Sequence, residues 1–163
     1  AQTISAFDKL IHDLVCAGML EIFHEIRQPT AAYLNFTIPM ATYNRMVNDA
    51  TYASSAFEQI IIEKNGYKAF QDTGKVSEAL ALIWGEEHKW QAIAQEMGKS
   101  EADVKVEVKN IVTRRNQIVH EGDYAADPMV RQNISKDDVN EVIAFVELLA
   151  KAIYTLLTNS ACV

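Results

Sequence analysis

Residues 111–124 read I-V-T-R-R-N-Q-I-V-H-E-G-D-Y, and the eleven residues before them carry apolar side chains only at Ala102, Val104, Val106 and Val108. From Ser100 onward Val104, Val108, Ile111, Val112 and Val119 recur in steps that suit one face of a helix. Arg115 falls on that same face, between Val112 and Val119. A guanidinium cannot shed its charge, so one placed in an apolar stripe needs an anion, a set of carbonyls or water. Beside the stripe runs a second one, basic and polar throughout: Lys105, Lys109, Thr113, Asn116 and His120.

At roughly 100° per residue, Arg115 and His120 are about 140° apart around the axis, with Asn116 between them. A long arginine spans that arc. Gly122 is expected to stop the helix in a left-handed conformation, which puts His120 in the last turn. There the carbonyl end of the helix favours the protonated imidazole, while a nearby cation such as Arg115 opposes protonation. An arginine and a near-neutral histidine suit phosphate chemistry, since the first stabilises charge on phosphoryl oxygens and the second moves a proton. Taken singly, each has a plain structural reading: Arg115 snorkelling to a carboxylate, and His120 capping helix-end carbonyls.

Arg115, polar Asn116, three further residues and His120 resemble the Arg-polar-x3-His motif of the HEPN superfamily. The fuller string R-R-N-Q-I-V-H-E-G-D-Y is similar to its RiboL-PSP-HEPN branch. The resemblance implies an all-α, HEPN-like helical bundle, generally dimeric, and in many members a metal-independent endoribonuclease that cuts RNA through the 2′-hydroxyl. On that reading Arg115, His120 and Asn116 are catalytic. Asn116 either orients His120 or binds a phosphate oxygen, and His120 serves as base or acid. Lys105, Lys109 and Tyr124 would bind substrate, with no metal and no cofactor. The partners implied are RNA and a second copy of the chain forming a composite site. A toxin or anti-phage defence effector, with an antitoxin or a larger defence assembly as further partner, is the biological expectation. A non-catalytic nucleotide- or RNA-binding or dimerisation module is the alternative.

The 163 residues are expected to form a single domain over 1–163, long enough to fold without staples. Cys16 and Cys162 form neither a disulfide framework nor a metal cluster. No apolar run approaches the ~18 residues of a membrane span, and the start A-Q-T-I-S-A-F-D lacks the features of a signal peptide, so a cytoplasmic home is expected. The formal net charge of −7 argues against indiscriminate coating of nucleic acid. Residues 105–120 nonetheless hold four basic side chains against the single acid Glu107, a local +3 that leaves −10 on the rest. Positive potential is concentrated where the motif lies, as a focused phosphate site needs.

Over the whole chain the reading is a bundle of four to six helices, and six segments, the motif helix among them, have helical periodicity. The first runs from about Thr3 to Gln28, and Pro29 ends it. Its Glu21-Ile22-Phe23-His24 has the spacing of a di-iron ligand pair, but no second copy follows, which favours an exposed polar face. Ala31 to Pro39 reads as an extended apolar connection, and Met40 to Lys64 as one long helix stopped by Asn65-Gly66. Shorter helices are expected over Val76–Trp84 and Glu87–Met97, with Trp84 and Trp90 as packing anchors and His88 in a solvated turn. Capping boxes at Ser100–Asp103 and Ser135–Asp138 start the motif helix and the last helix. Between those two helices, Glu121 to Ile134 is a long loop placed to rim the site.

Overall fold

The protein, described here as a computed structural model, is defined over residues 2–66, 68–69, 72–120 and 135–161, apart from the side chains of His120 and Ala161. Within them the chain forms α1 (Gln2–Phe23), α2 (Ala31–Leu34), α3 (Met40–Asn48), α4 (Ala50–Asn65), α5 (Thr73–Ala81), α6 (Lys89–Glu96), α7 (Glu101–His120) and α8 (Lys136–Ala161). The described residues are all helix and connection, as expected. Two more helices are present than the periodicity suggests, and both lie between Pro29 and Asn65.

The long helix expected over Met40–Lys64 is two helices. Asp49 takes an extended backbone, and its carboxylate accepts hydrogen bonds from the backbone N–H groups of Thr51 and Tyr52 at 3.0 and 3.3 Å, capping α4. The break turns α3 out of the stripe it was expected to continue, so Tyr43 and Val47 are exposed and no residue of α3 is buried. The extended connection expected over 31–39 holds the one-turn α2, started by Thr30, whose hydroxyl accepts from Tyr33 N–H at 3.0 Å. The apolar packing expected of it holds: Tyr33, Phe36 and Ile38 lie against the core, and Tyr33 and Phe36 meet Phe57 edge-on.

Helix α1 ends at Phe23, five residues earlier than expected. Glu25 adopts φ 60°, with Ile26 N–H reaching back to Glu21 C=O at 2.8 Å and Glu25 N–H to Ile22 C=O at 3.0 Å. That is a Schellman motif with glutamate at the left-handed position usually held by glycine. Beyond it Ile26, expected on the core face, is exposed.

Helix α1 is the centre of the bundle and packs on α4, α5 and α8. Ile4, Phe7, Ile11, Val15, Met19 and Ile22 form its buried face. Gly18 on the same face permits the close approach of Ile83, because a Cβ there would lie 2.7 Å from Ile83 Cγ2 and 2.9 Å from its Cβ. On the far side α6 packs on α7 and α8, with Trp84 and Trp90 buried as expected and Trp90 Nε1 donating to Thr73 C=O at 2.9 Å. Val146, Leu149, Ile153 and Leu157 bury the inner face of α8.

Two substitutions test these backbone features by thermal melting. Gly18→Ala gains about 1 kcal/mol of helix propensity but overpacks a β-branched neighbour at a cost of about 1–3 kcal/mol, so stability should fall and Tm should drop by about 2–4 °C. Glu25→Gly relieves the left-handed backbone and should raise stability by about 0.5–1 kcal/mol. Equal or opposite shifts would mean that neither contact limits the fold.

Candidate functional site

Helix α7 is set by the chain entering it. Gly98, at φ 67°, closes α6, with Lys99 N–H bonded to Ala94 C=O at 2.9 Å and Gly98 N–H to Gln95 C=O at 3.1 Å. The hydroxyl of Ser100 then accepts from Asp103 N–H at 3.1 Å, the N-cap half of the expected capping box, while the Asp103 carboxylate accepts from the Ser100 hydroxyl at 2.6 Å and not from its backbone N–H. Glu101 and Asp103 place negative charge at the positive end of the helix.

From there α7 changes character along its length. Val104, Val108 and Ile111 are buried, Val112 is half-buried, and Val119 is 48% exposed. The apolar stripe therefore serves the core as far as Ile111 and emerges beyond it. Around Ile111 the helix meets Ile4 and Phe7 of α1 and Phe145, Val146 and Leu149 of α8 about a small apolar void of 20 Å³.

Arg115 lies where the stripe emerges. Its side chain is half-buried, and its Nη1 donates to Asn116 Oδ1 at 2.9 Å. Its Nε is buried and meets no acceptor, and among the described residues no carboxylate pairs with it. The snorkelling salt bridge that would make Arg115 purely structural does not form there. Asn116, expected to orient His120 or bind a phosphate oxygen, accepts from Arg115 with its carbonyl oxygen. His120 ends α7, at the position expected, while its side chain lies outside the described residues, as do Gly122, Tyr124 and the loop expected over 121–134.

The basic stripe borders a groove of about 350 Å³ between α7 and the start of α5, lined by Lys105, Val106, Lys109, Val112 and Thr113 on one side and by Asp72 and Thr73 on the other. Lys105 and Lys109 thus share one surface, and by helical spacing that face of α7 continues through Asn116 to position 120. They are not equivalent. Lys105 Nζ is paired with Glu101 Oε1 at 2.5 Å, whereas Lys109 is exposed at the rim. The opposing wall, Asp72 and Thr73, carries no motif that would have marked it in the sequence.

Arg114 points to other work. The Asp138 carboxyl is held below its ordinary value by the backbone N–H and hydroxyl of Ser135, and the Arg114 guanidinium lowers it further. Ser135 N–H reaches Asp138 Oδ2 at 2.9 Å, the second capping box as expected, so Arg114 belongs to the junction of α7 with the start of α8. The Glu21–His24 pair is likewise committed: Glu21 binds Arg27 Nε at 2.8 Å, and His24 Nε2 is hydrogen-bonded with Ser54 Oγ at 3.0 Å. Among the described residues no cluster of three metal-ligating side chains occurs, and no helix is long and apolar enough to cross a membrane.

Residues 2–159 match the family model RiboL-PSP-HEPN. No curated protein and no solved structure matches the chain.

A partly buried guanidinium whose Nε lacks an acceptor among the described residues is costly to the fold. Arg115→Met keeps the stem and removes the head, so stability should rise by about 1 kcal/mol, the low end of what an unpaired buried donor costs. Thermal melts should show Tm higher by about 2–4 °C, and a lower Tm would mean that Arg115 is paired in solution.

Proposed function

Because the chain belongs to the RiboL-PSP-HEPN family, we propose that it acts as one HEPN-like domain over residues 1–163 and is a metal-independent endoribonuclease. HEPN domains are frequently of that type. The observation that carries the reading is Arg115: a half-buried guanidinium with an unspent Nε, steadied by Asn116, at the point where α7 leaves the core and five residues before His120. Among the described residues no carboxylate neutralises this guanidinium, which supports a charge kept for an anionic ligand.

In the proposed reaction the 2′-oxygen of RNA attacks the adjacent phosphorus and the bond from phosphorus to the 5′-oxygen breaks, leaving a 2′,3′-cyclic phosphate and a 5′-hydroxyl. Arg115 stabilises the charge gathering on the non-bridging oxygens. One proton must leave the 2′-hydroxyl and one must reach the departing 5′-oxygen, and His120 handles one of these transfers as base or acid. A single histidine cannot occupy both positions at once. A two-fold dimer that brings two copies of Arg115 and His120 into one cleft supplies the second proton carrier. Lys109, at the rim of the α7 groove, attracts the RNA backbone. Lys105 contributes less, since Glu101 already neutralises it. Tyr124 is assigned to substrate binding through its place directly after the motif. A toxin or anti-phage effector working in the cytoplasm, held by an antitoxin or within a larger defence assembly, is the setting this activity fits.

Purified protein incubated with mixed RNAs in excess EDTA should cut them and leave 2′,3′-cyclic phosphate ends. Activity that vanishes in EDTA and returns fully with Mg²⁺ would sink the mechanism. His120→Ala should lower the rate by about 10²- to 10⁴-fold with little change in melting, as removal of a placed general acid or base does. Near-normal cleavage by that variant would instead favour a non-catalytic binding or dimerisation module. Light scattering should give a dimer of 18.3 kDa chains, and a strictly monomeric yet active protein would remove the composite site.

A further inference from the structure

The groove between α7 and the start of α5 carries opposite charges on its two walls. Lys109 stands on the α7 side and Asp72 on the α5 side of a volume of about 350 Å³, and Val106, Val108 and Val112 make the rest of the α7 wall largely apolar. Among the described residues neither Lys109 nor Asp72 belongs to an ion pair, so the two charges face the groove without cancelling each other. A groove that only drew in a phosphate chain would gain from cations on both walls. A carboxylate opposite the lysines repels phosphate and calls for a second recognition chemistry.

Asp72 has a structural duty that accounts for one of its oxygens. Its Oδ1 accepts from Gly74 N–H at 2.8 Å and from Lys75 N–H at 3.2 Å, which caps α5. Its Oδ2 accepts nothing among the described residues, on a side chain that lines the groove. Along α7 the middle of the groove, at Lys109, is six residues from Arg115, about 9 Å at 1.5 Å per residue. The groove therefore lies beside the proposed cleavage site, within reach of a nucleotide next to the one cut.

A nucleotide of an RNA strand that matches both walls offers its phosphate to Lys109, a flat ring face to the valines and N–H donors to Asp72. The carboxylate sorts the bases. Guanine presents two adjacent donors, N1–H and the N2 amino group, to a single acceptor oxygen. In adenine and cytosine the amino group stands beside an unprotonated ring nitrogen, and in uracil the one N–H lies between two carbonyl oxygens, so each of these turns a lone pair toward the carboxylate. We propose, resting on the ribonuclease reading above, that Asp72 is a specificity-determining residue. Its Oδ2 accepts from the Watson–Crick edge of a guanine seated in the groove between α5 and α7, beside the phosphate that is cut, while Lys109 holds the phosphate of that guanosine.

Cut sites mapped in mixed RNAs should show guanosine enriched at one fixed position beside the cut. Short RNAs that differ only at that position should then be cut with kcat/KM at least about tenfold higher for guanosine than for adenosine, cytidine or uridine, the discrimination of a good two-donor contact. Inosine, which lacks the N2 amino group, should be cut more slowly than guanosine, and 7-deazaguanosine, which keeps the whole Watson–Crick edge, should match it. Asp72→Asn keeps a side-chain oxygen for the α5 cap and should melt like the parent, but it puts an amide donor where Oδ2 stood. Its preference for guanosine should fall to about twofold or less, with the adenosine RNA still cut. Lys109→Ala should weaken cutting of all four RNAs alike and leave the preference in place. A parent without guanosine preference, inosine cut as fast as guanosine, or a guanosine preference intact in Asp72→Asn would overturn the role of Asp72 and leave the ribonuclease reading standing. A parent that cuts no RNA would defeat both.

Discussion

The guanidinium of Arg27 holds together three parts of the chain that are far apart in sequence. Its Nε binds Glu21 Oε2 at 2.8 Å at the end of α1, and its Nη1 donates to Ile83 C=O at 3.3 Å, Leu157 C=O at 3.2 Å and Ser160 Oγ at 3.4 Å. Its side chain is only 8% exposed. A cation facing the last carbonyls of α8 is favoured by the dipole of that helix as well as by direct hydrogen bonds. With 26 residues α8 is about 39 Å long at 1.5 Å per residue, so fixing one end matters to what happens at the other. That other end is the junction with α7, where Arg114 faces Asp138. Arg27 thus fixes the close of α8, and at its start Arg114 adds a weaker attraction to the Asp138 carboxylate.

Arg27 reaches its partners only because α1 ends early, and nothing in the sequence marks that end. Schellman stops are normally announced by glycine, and here Glu25 takes the left-handed position. The apolar spacing runs on through Ile26, so periodicity alone extends the helix to Pro29. The break at Asp49 is different. Asp49 and Thr51 are cap-forming residues in plain view, but the apolar spacing on either side is continuous enough to suggest one helix. Local hydrogen bonding by Asp49 outweighed that pattern, as short polar side chains do. Where both signals agreed, at Ser100–Asp103 and Ser135–Asp138, the helix starts were legible to the residue.

The site was legible in part for the same reason. Helical spacing placed Lys105, Lys109 and Thr113 on one surface, and they do border one groove. Spacing does not report pairing. Glu101 stands four residues before Lys105, the favourable order for an ion pair along a helix, and that contact reduces what Lys105 has left for a ligand. Nor does spacing report how a side chain is spent. Asn116 sits on the face of position 120, yet its carbonyl oxygen goes to Arg115, a neighbour in sequence about 100° away around the axis. A flexible arginine crosses that arc easily, and a face assignment does not capture it.

One helix, α7, carries both core and candidate site. A site on a loop would be imprecise, whereas a site on a fully buried helix would be closed to a polymer. Helix α7 avoids both by being core in its first half and surface in its second. Val104, Val108 and Ile111 are buried where α7 packs on α6 and α5 and, about the small apolar void, meets α1 and α8, and that rigidity is passed along the helical hydrogen bonds to Arg115 and position 120. The Ser100 cap and acidic first turn stabilise the buried half, and the Arg115 Nε, without an acceptor among the described residues, weakens the emerging half. Stability is thus concentrated where the helix is held and given up where a phosphate is proposed to bind, the distribution expected when a rigid element presents a preorganised charge.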